Sequence, residues 1–74
     1  NGGFANEMAA AFAARLHREY GEDPKQIVES AWRLATGRSP TNREFDLSLE
    51  FLEDQPLQEF ALAILNLNEL IYVH

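Results

Sequence analysis

The sequence predicts an all-α fold, a compact bundle of four short helices with a steep corner between the second and third. Three observations carry that prediction. Apolar residues recur at three- and four-residue spacing along most of the chain. Glycine, proline and capping signals cut the pattern into four segments. Strand-like alternation is confined to the short run from Leu70 to Val73.

The first helix is expected from about Ala5 to Tyr20. Phe4, Met8, Phe12, Leu16 and Tyr20 recur every fourth residue as a stripe, widened by Ala5, Ala9 and Ala13. Alanine at this density favours helix strongly and lets a neighbouring helix come close. Gly21 follows, where a left-handed C-terminal cap is wanted.

Asp23-Pro24-Lys25-Gln26 opens the second helix. Aspartate accepts from free N–H groups, proline suits the first helical position, and Gln26 completes a capping-box pattern. Ile27, Val28, Ala31, Trp32, Leu34 and Ala35 form its buried side, while Glu29 and Arg33 make an exposed pair four residues apart. Trp32 is a core residue in this reading, and its indole N–H then needs a partner. Gly37 ends the helix.

The link Gly37-Arg38-Ser39-Pro40 is short and stiffened by its proline, so it forms a fixed corner rather than a hinge. Thr41-Asn42-Arg43-Glu44 is a second capping box. The third helix then carries Phe45, Leu49 and Leu52 on one face, with Leu47 and Phe51 beside them. Asp46, Glu50, Glu53 and Asp54 occupy the other face. Pro56 marks the next boundary, because proline disfavours helix in the residue before it.

The fourth helix is expected from Leu57 to about Asn68. Phe60 to Leu65 contains no polar residue, and the tail Leu70-Ile71-Tyr72-Val73 is apolar as well. A surface helix keeps one face polar for water. This one is apolar nearly all round, so it is the central rod of the bundle or a surface for another chain. The candidate interface comprises Leu62, Leu65, Asn66, Leu70 and Tyr72, through which the isolated chain is expected to pair as a two-fold dimer. Asn66 and Asn68 interrupt the run; they cap the final turn, or one of them sets register across an interface.

Composition bounds the function. Seventy-four residues make one small domain, and 46% hydrophobic with 24% charged residues is ordinary for a globular one. At this size burial and ordering nearly cancel, so natural domains add a disulfide, a metal or a partner. The chain has no cysteine, which removes disulfides, thiolate zinc, iron–sulfur clusters and c-type haem attachment. A protein partner, either the rest of a parent chain or a second copy, is the remaining supplement. The net charge of −6 and dispersed cations argue against nucleic acid. No run reaches the roughly 18 to 20 apolar residues that span a bilayer, so membrane insertion is not expected. The start Asn1-Gly2-Gly3 without methionine reads as a segment of a longer protein.

No catalytic residue, cofactor or metal ligand is expected. His17 has no ligating residue three or four positions away, and His74 is terminal. The carboxylates Asp46, Glu50, Glu53 and Asp54 lie on a straight helix, which does not wrap a calcium ion. They form a solvated face or a docking face for a basic partner. Ser30, Ser39 and Ser48 lack a histidine at useful spacing. The rival reading is a small enzyme or ligand-binding domain using Glu44, Asp46 or His17.

Trp32-Arg33-Leu34-Ala35-Thr36-Gly37-Arg38-Ser39-Pro40-Thr41, with Glu44, Phe51-Leu52 and the tail from Ala63 to Val73, resembles the C-terminal segment of a planctomycete-specific family of unknown function. The likeness runs from Ala11 onward and is strongest at the Gly-Arg-x-Pro-Thr corner and the Asn-x-Asn-Glu tail. Leu70-Ile71 departs from it, since the family more usually has an aromatic followed by leucine. The resemblance implies a large exported bacterial protein, periplasmic or surface-bound, with a cytochrome-c-like domain upstream. It assigns no catalytic residue here and no haem ligand. The expected function is therefore a non-catalytic helical interaction or structural module.

Overall fold

A computed structural model describes the backbone of residues 2–72 and the side chains of residues 3–67. Its elements are α1 (Gly2–Tyr20), α2 (Pro24–Thr36), α3 (Asn42–Asp54) and α4 (Leu57–Tyr72), with no strand among the described residues. The all-α bundle of four helices is what the periodicity predicts.

The local signals act as their chemistry requires, with one exception. Gln26 does not complete a capping box: the Asp23 N–H donates to the Tyr20 carbonyl at 3.4 Å instead. The Asp23 carboxylate accepts from the N–H groups of Lys25 (3.1 Å) and Gln26 (3.4 Å), with Pro24 in the first turn. Gly37 takes φ 80°, and its N–H donates to the Arg33 carbonyl at 2.9 Å. That left-handed backbone favours a residue without Cβ, which is why glycine stands at the exit of α2. Thr41 caps α3 in both directions, accepting from Glu44 N–H (3.1 Å) and donating its own N–H to the Glu44 carboxylate (2.9 Å).

α4 touches all three other helices and α1 most extensively. It is the central rod. Phe60, Ala61 and Ile64 are buried on it, and its solvent side is the line Glu59, Ala63 and Asn66. The core has two parts. Leu16, Ile27, Val28, Trp32, Phe60 and Ile64 fill the larger one, and Ala9, Ala13 and Ala61 form a small-residue seam between α1 and α4.

Four further expectations need correction. Phe4 and Met8 are 71% and 48% exposed, not core. Residues four apart advance about 40° round a helix, so a stripe drawn from Phe4 to Tyr20 turns through about 160°. Its N-terminal end therefore leaves the bundle, and the alanines hold the centre line. Leu34 is 44% exposed, because it lies at the margin of the buried arc of α2, about 20° from Ile27 on the side away from Ala31, Ala35 and Trp32. α4 continues as helix to Tyr72, so Leu70 and Ile71 do not begin an extended tail. Asn66 consequently caps nothing; it is an exposed residue inside the helix. The reading of Asn68 as a cap falls on a side chain outside the described residues, although its backbone is helical.

The alanine seam gives a direct test. Ala61 is fully buried opposite Ala9 and Ala13, so Ala61→Leu should destabilise the chain by about 1–3 kcal/mol through overpacking. Ala10→Leu, on the exposed side of the same helix pair, should change stability by less than about 0.5 kcal/mol. Urea denaturation of both variants checks the contrast.

Candidate functional site

The corner between α2 and α3 is built from paired polar groups. Arg38 donates to both carboxylate oxygens of Glu44, at 2.8 and 3.0 Å, a bidentate fork. Its guanidinium also lies 5.5 Å from the centre of the Trp32 ring, within cation–π range. The Thr36 hydroxyl donates to the Trp32 carbonyl at 2.6 Å and accepts the Arg38 N–H at 3.3 Å. On the outer side Glu29 accepts from Arg33 and, at 2.8 Å, from the Ser39 hydroxyl. The expected Glu29–Arg33 pair is present and is extended by the loop serine. Hydrogen bonds from Ser39 and Arg33 hold the Glu29 carboxyl below its ordinary range.

Behind this corner Trp32 is 4% exposed, as expected for core. Its indole N–H donates to Ser48 Oγ at 2.9 Å, and the Ser48 hydroxyl donates to the Glu44 carbonyl at 2.7 Å. Trp32 and Ser48 form the inner end of an apolar groove of about 270 Å³ between α2, α3 and α4. Phe60 and Ile64 continue its floor. Leu47 and Phe51 on one side, and Ala63 and Leu67 on the other, form its walls. The Phe51 and Phe60 rings meet across it with centroids 6.1 Å apart and planes at 48°. Leu47 is 49% exposed on the α3 wall. The polar groups of the groove are thus bonded to one another, and the surface it presents is apolar.

Charge is distributed unevenly around this groove. Residues 44–74 contain seven carboxylates and no lysine or arginine, whereas residues 1–43 contain five carboxylates and six cations. The whole net negative charge belongs to the half of the sequence forming α3 and α4. Asp46, Glu50, Glu53 and Asp54 are all exposed, and none makes an ion pair among the described residues. Helical geometry places Asp54 about 20° and Glu50 about 60° from Leu47, with Asp46 and Glu53 roughly 100° or more away. Glu50 and Asp54 therefore flank the exposed Leu47 wall on its solvent side, while Glu44 is the carboxylate that lines the groove itself. Glu59 lies on the opposite rim, about 40° from Ala63 on α4.

The other candidate interface residues fall elsewhere. Leu62 and Leu65 are half-buried against the alanine seam of α1, so the chain's own first helix covers part of each. Asn66 faces solvent, and the side chains of Leu70 and Tyr72 lie outside the described residues. His17 is exposed beside a second hollow, of about 340 Å³ and more polar than the groove, also bordered by Glu22, Leu52 and Gln55. The sequence-based expectations weigh Ser48 only as a nucleophile and do not place it as the acceptor of the indole N–H beside a groove. An indole on a buried helical face demands an acceptor, and a serine among the apolar residues of the third helix was the available one.

Two predictions follow from this geometry. Ser48→Ala leaves a buried indole N–H without its acceptor and should cost about 1–3 kcal/mol. Combining it with Trp32→Phe should cost less than the two single changes added together, because both remove the same bond. A double-mutant cycle by thermal denaturation reads this directly.

Arg38, with the Thr41 N–H, holds the Glu44 carboxyl down from 4.5 to about 2. A carboxylate with a lowered folded-state pKa contributes stability that is complete above its unfolded value. That contribution is lost as pH falls through the folded value. Glu44→Gln should therefore be about 1–2 kcal/mol less stable than the parent at pH 7, given partial solvent screening. The gap should narrow between about pH 4.5 and 2 and close below, as read by denaturant midpoints across that window.

No protein-family model matches the chain, and neither a curated protein nor a solved structure is significantly similar to it.

Proposed function

We propose that this chain is a non-catalytic helical interaction module, the C-terminal part of a larger exported bacterial protein, as its resemblance in sequence implies. The observation carrying the interaction reading is the groove between α2, α3 and α4. It is open to solvent, apolar, and lined by polar groups that are already hydrogen-bonded to each other. Such a surface offers shape and apolar area to another polypeptide rather than reacting groups to a substrate. The contact surface in this proposal is the groove, not the outer edge of α4 centred on Leu62 and Leu65, since those leucines are partly spent on α1.

The enzymatic alternative draws less support. Glu44 is committed to Arg38 and to the α3 cap, and with a pKa of about 2 it is a feeble proton acceptor near neutrality. Asp46 and His17 are exposed on different helices, and neither the groove nor the hollow beside His17 is lined by both.

Trp32 reports on occupancy because it lines the groove. Titration with amphipathic helical peptides of leucine on one face, and lysine, glutamine or glutamate on the other, should produce a saturable change in its emission for at least one peptide. A dissociation constant of about 10–100 μM is expected for so small a contact, and Leu47→Asp should abolish the change. No saturable change with any peptide would remove the groove as an interaction surface.

A further inference from the structure

We infer that the occupant of the groove is a basic amphipathic helix, docking apolar side chains between α3 and α4 and its cations on the acidic rims; this inference rests on the interaction reading above. Three properties of the site select that partner. The first is the lack of backbone hydrogen-bonding edges. All four elements are α-helices, whose main-chain groups are bonded internally along their lengths. A strand needs an edge to pair with, whereas a helix satisfies its own backbone and binds through side chains alone.

The second property is size. The groove holds about 270 Å³, and a cavity of about 150 Å³ takes a benzene ring. It therefore accepts on the order of two medium apolar side chains. Leu47 and Phe51 are one helical turn apart along its α3 wall, as are Ala63 and Leu67 along its α4 wall. Two knobs at a spacing of three or four residues match that length.

The third property is charge. Glu50 and Asp54 on one rim and Glu59 on the other are exposed and make no ion pair among the described residues. Two cations lie near the groove: Arg43, one turn before Leu47, and Arg38 at its inner end, whose charge is already paired with Glu44. A second copy docking by the same face would bring two carboxylate-rich halves together, which complementarity disfavours. Lysine or arginine beside the docked knobs meets carboxylates on both rims instead.

Isothermal titration with three amidated peptides of about 18 residues tests this, each leucine-faced with lysine, glutamine or glutamate elsewhere. Amide chemical-shift mapping identifies where each one binds. The lysine peptide should bind at least about tenfold tighter than the glutamine peptide, with the glutamate peptide weakest. Its affinity should fall at least about fivefold between 50 and 300 mM salt, because exposed charges are screened. Leu47→Asp should abolish binding, and Glu50→Lys with Asp54→Lys should remove the preference while leaving the glutamine peptide bound; both variants change exposed residues, and far-UV circular dichroism verifies their fold. Equal binding of lysine and glutamine peptides in the groove would overturn the basic partner and leave the interaction module standing. Absence of binding by all three would overturn both. Binding of the lysine peptide that Leu47→Asp leaves intact would reduce the contact to charge alone and overturn the groove.

Discussion

A buried indole must give its one hydrogen bond to something, and in this small chain that requirement joins half the fold. Trp32 belongs to α2, and the oxygen that receives its proton, Ser48 Oγ, belongs to α3. Ser48 in turn is oriented by its own bond to the Glu44 carbonyl one turn back. Above the ring, Arg38 lies against the indole and grips the Glu44 carboxylate with both guanidinium arms. The corner is consequently fixed from inside by a neutral hydrogen bond and from outside by a charged one. Native domains are typically stable by only about 5–15 kcal/mol, and small ones by less, so a buried bond costing about 1–3 kcal/mol to orphan is a large share. It also decides what Leu47 does. With Ser48 turned inward, its neighbour about 100° round the helix is turned toward solvent, and the groove acquires its exposed wall.

The other half of the bundle depends on absence of bulk. Ala9, Ala13 and Ala61 form the seam between α1 and α4, with Phe12, Leu57, Leu62 and Leu65 packed at its margins. Small residues along the line of contact let two helix axes approach, and larger side chains are then displaced to the flanks. This explains how a helix as apolar as α4 finds enough cover in 74 residues. It meets α1 closely and still has Phe60 and Ile64 to give to the core shared with α2. The Cα radius of gyration, 11.5 Å, is close to the roughly 11 Å of a compact chain of this length.

Local chemistry was legible in the sequence, and spatial chemistry was less so. The Asp23 cap, the Thr41–Glu44 capping box, Gly37 and the Trp32 core position all depend on residues a few places apart, and each is found where it was expected. The failures concern direction. A stripe drawn at every fourth residue drifts, so it puts Phe4 and Met8 in the core, whereas the alanines, whose small size lets a neighbouring helix come close, make the actual contact. The end of α4 was set at the asparagines, yet Asn66 is exposed and the helix runs on. The groove could not be read at all. Its lining comes from positions 32, 44–51 and 60–67, and nothing in the spacing says that those three stretches converge. The four carboxylates of the third helix were legible as an exposed face, but not that two of them flank the wall of an apolar trough.

Those carboxylates sit where the helix least favours them. Glu53 and Asp54 occupy the last turn of α3, beside the negative end of its dipole, and α3 has no basic residue there. Asp46–Glu50 and Glu50–Asp54 are like charges four residues apart, each pair costing a few tenths of a kcal/mol. Lysine or arginine at any of these exposed positions would stabilise the isolated helix, and the cations of the chain are instead all placed at or before Arg43. The arrangement raises the free energy of the free domain by an amount a cationic neighbour would return on contact. Placed beside an apolar trough, this locally unfavourable charge makes the surface more complementary to a basic helix than an electrically balanced α3 would be.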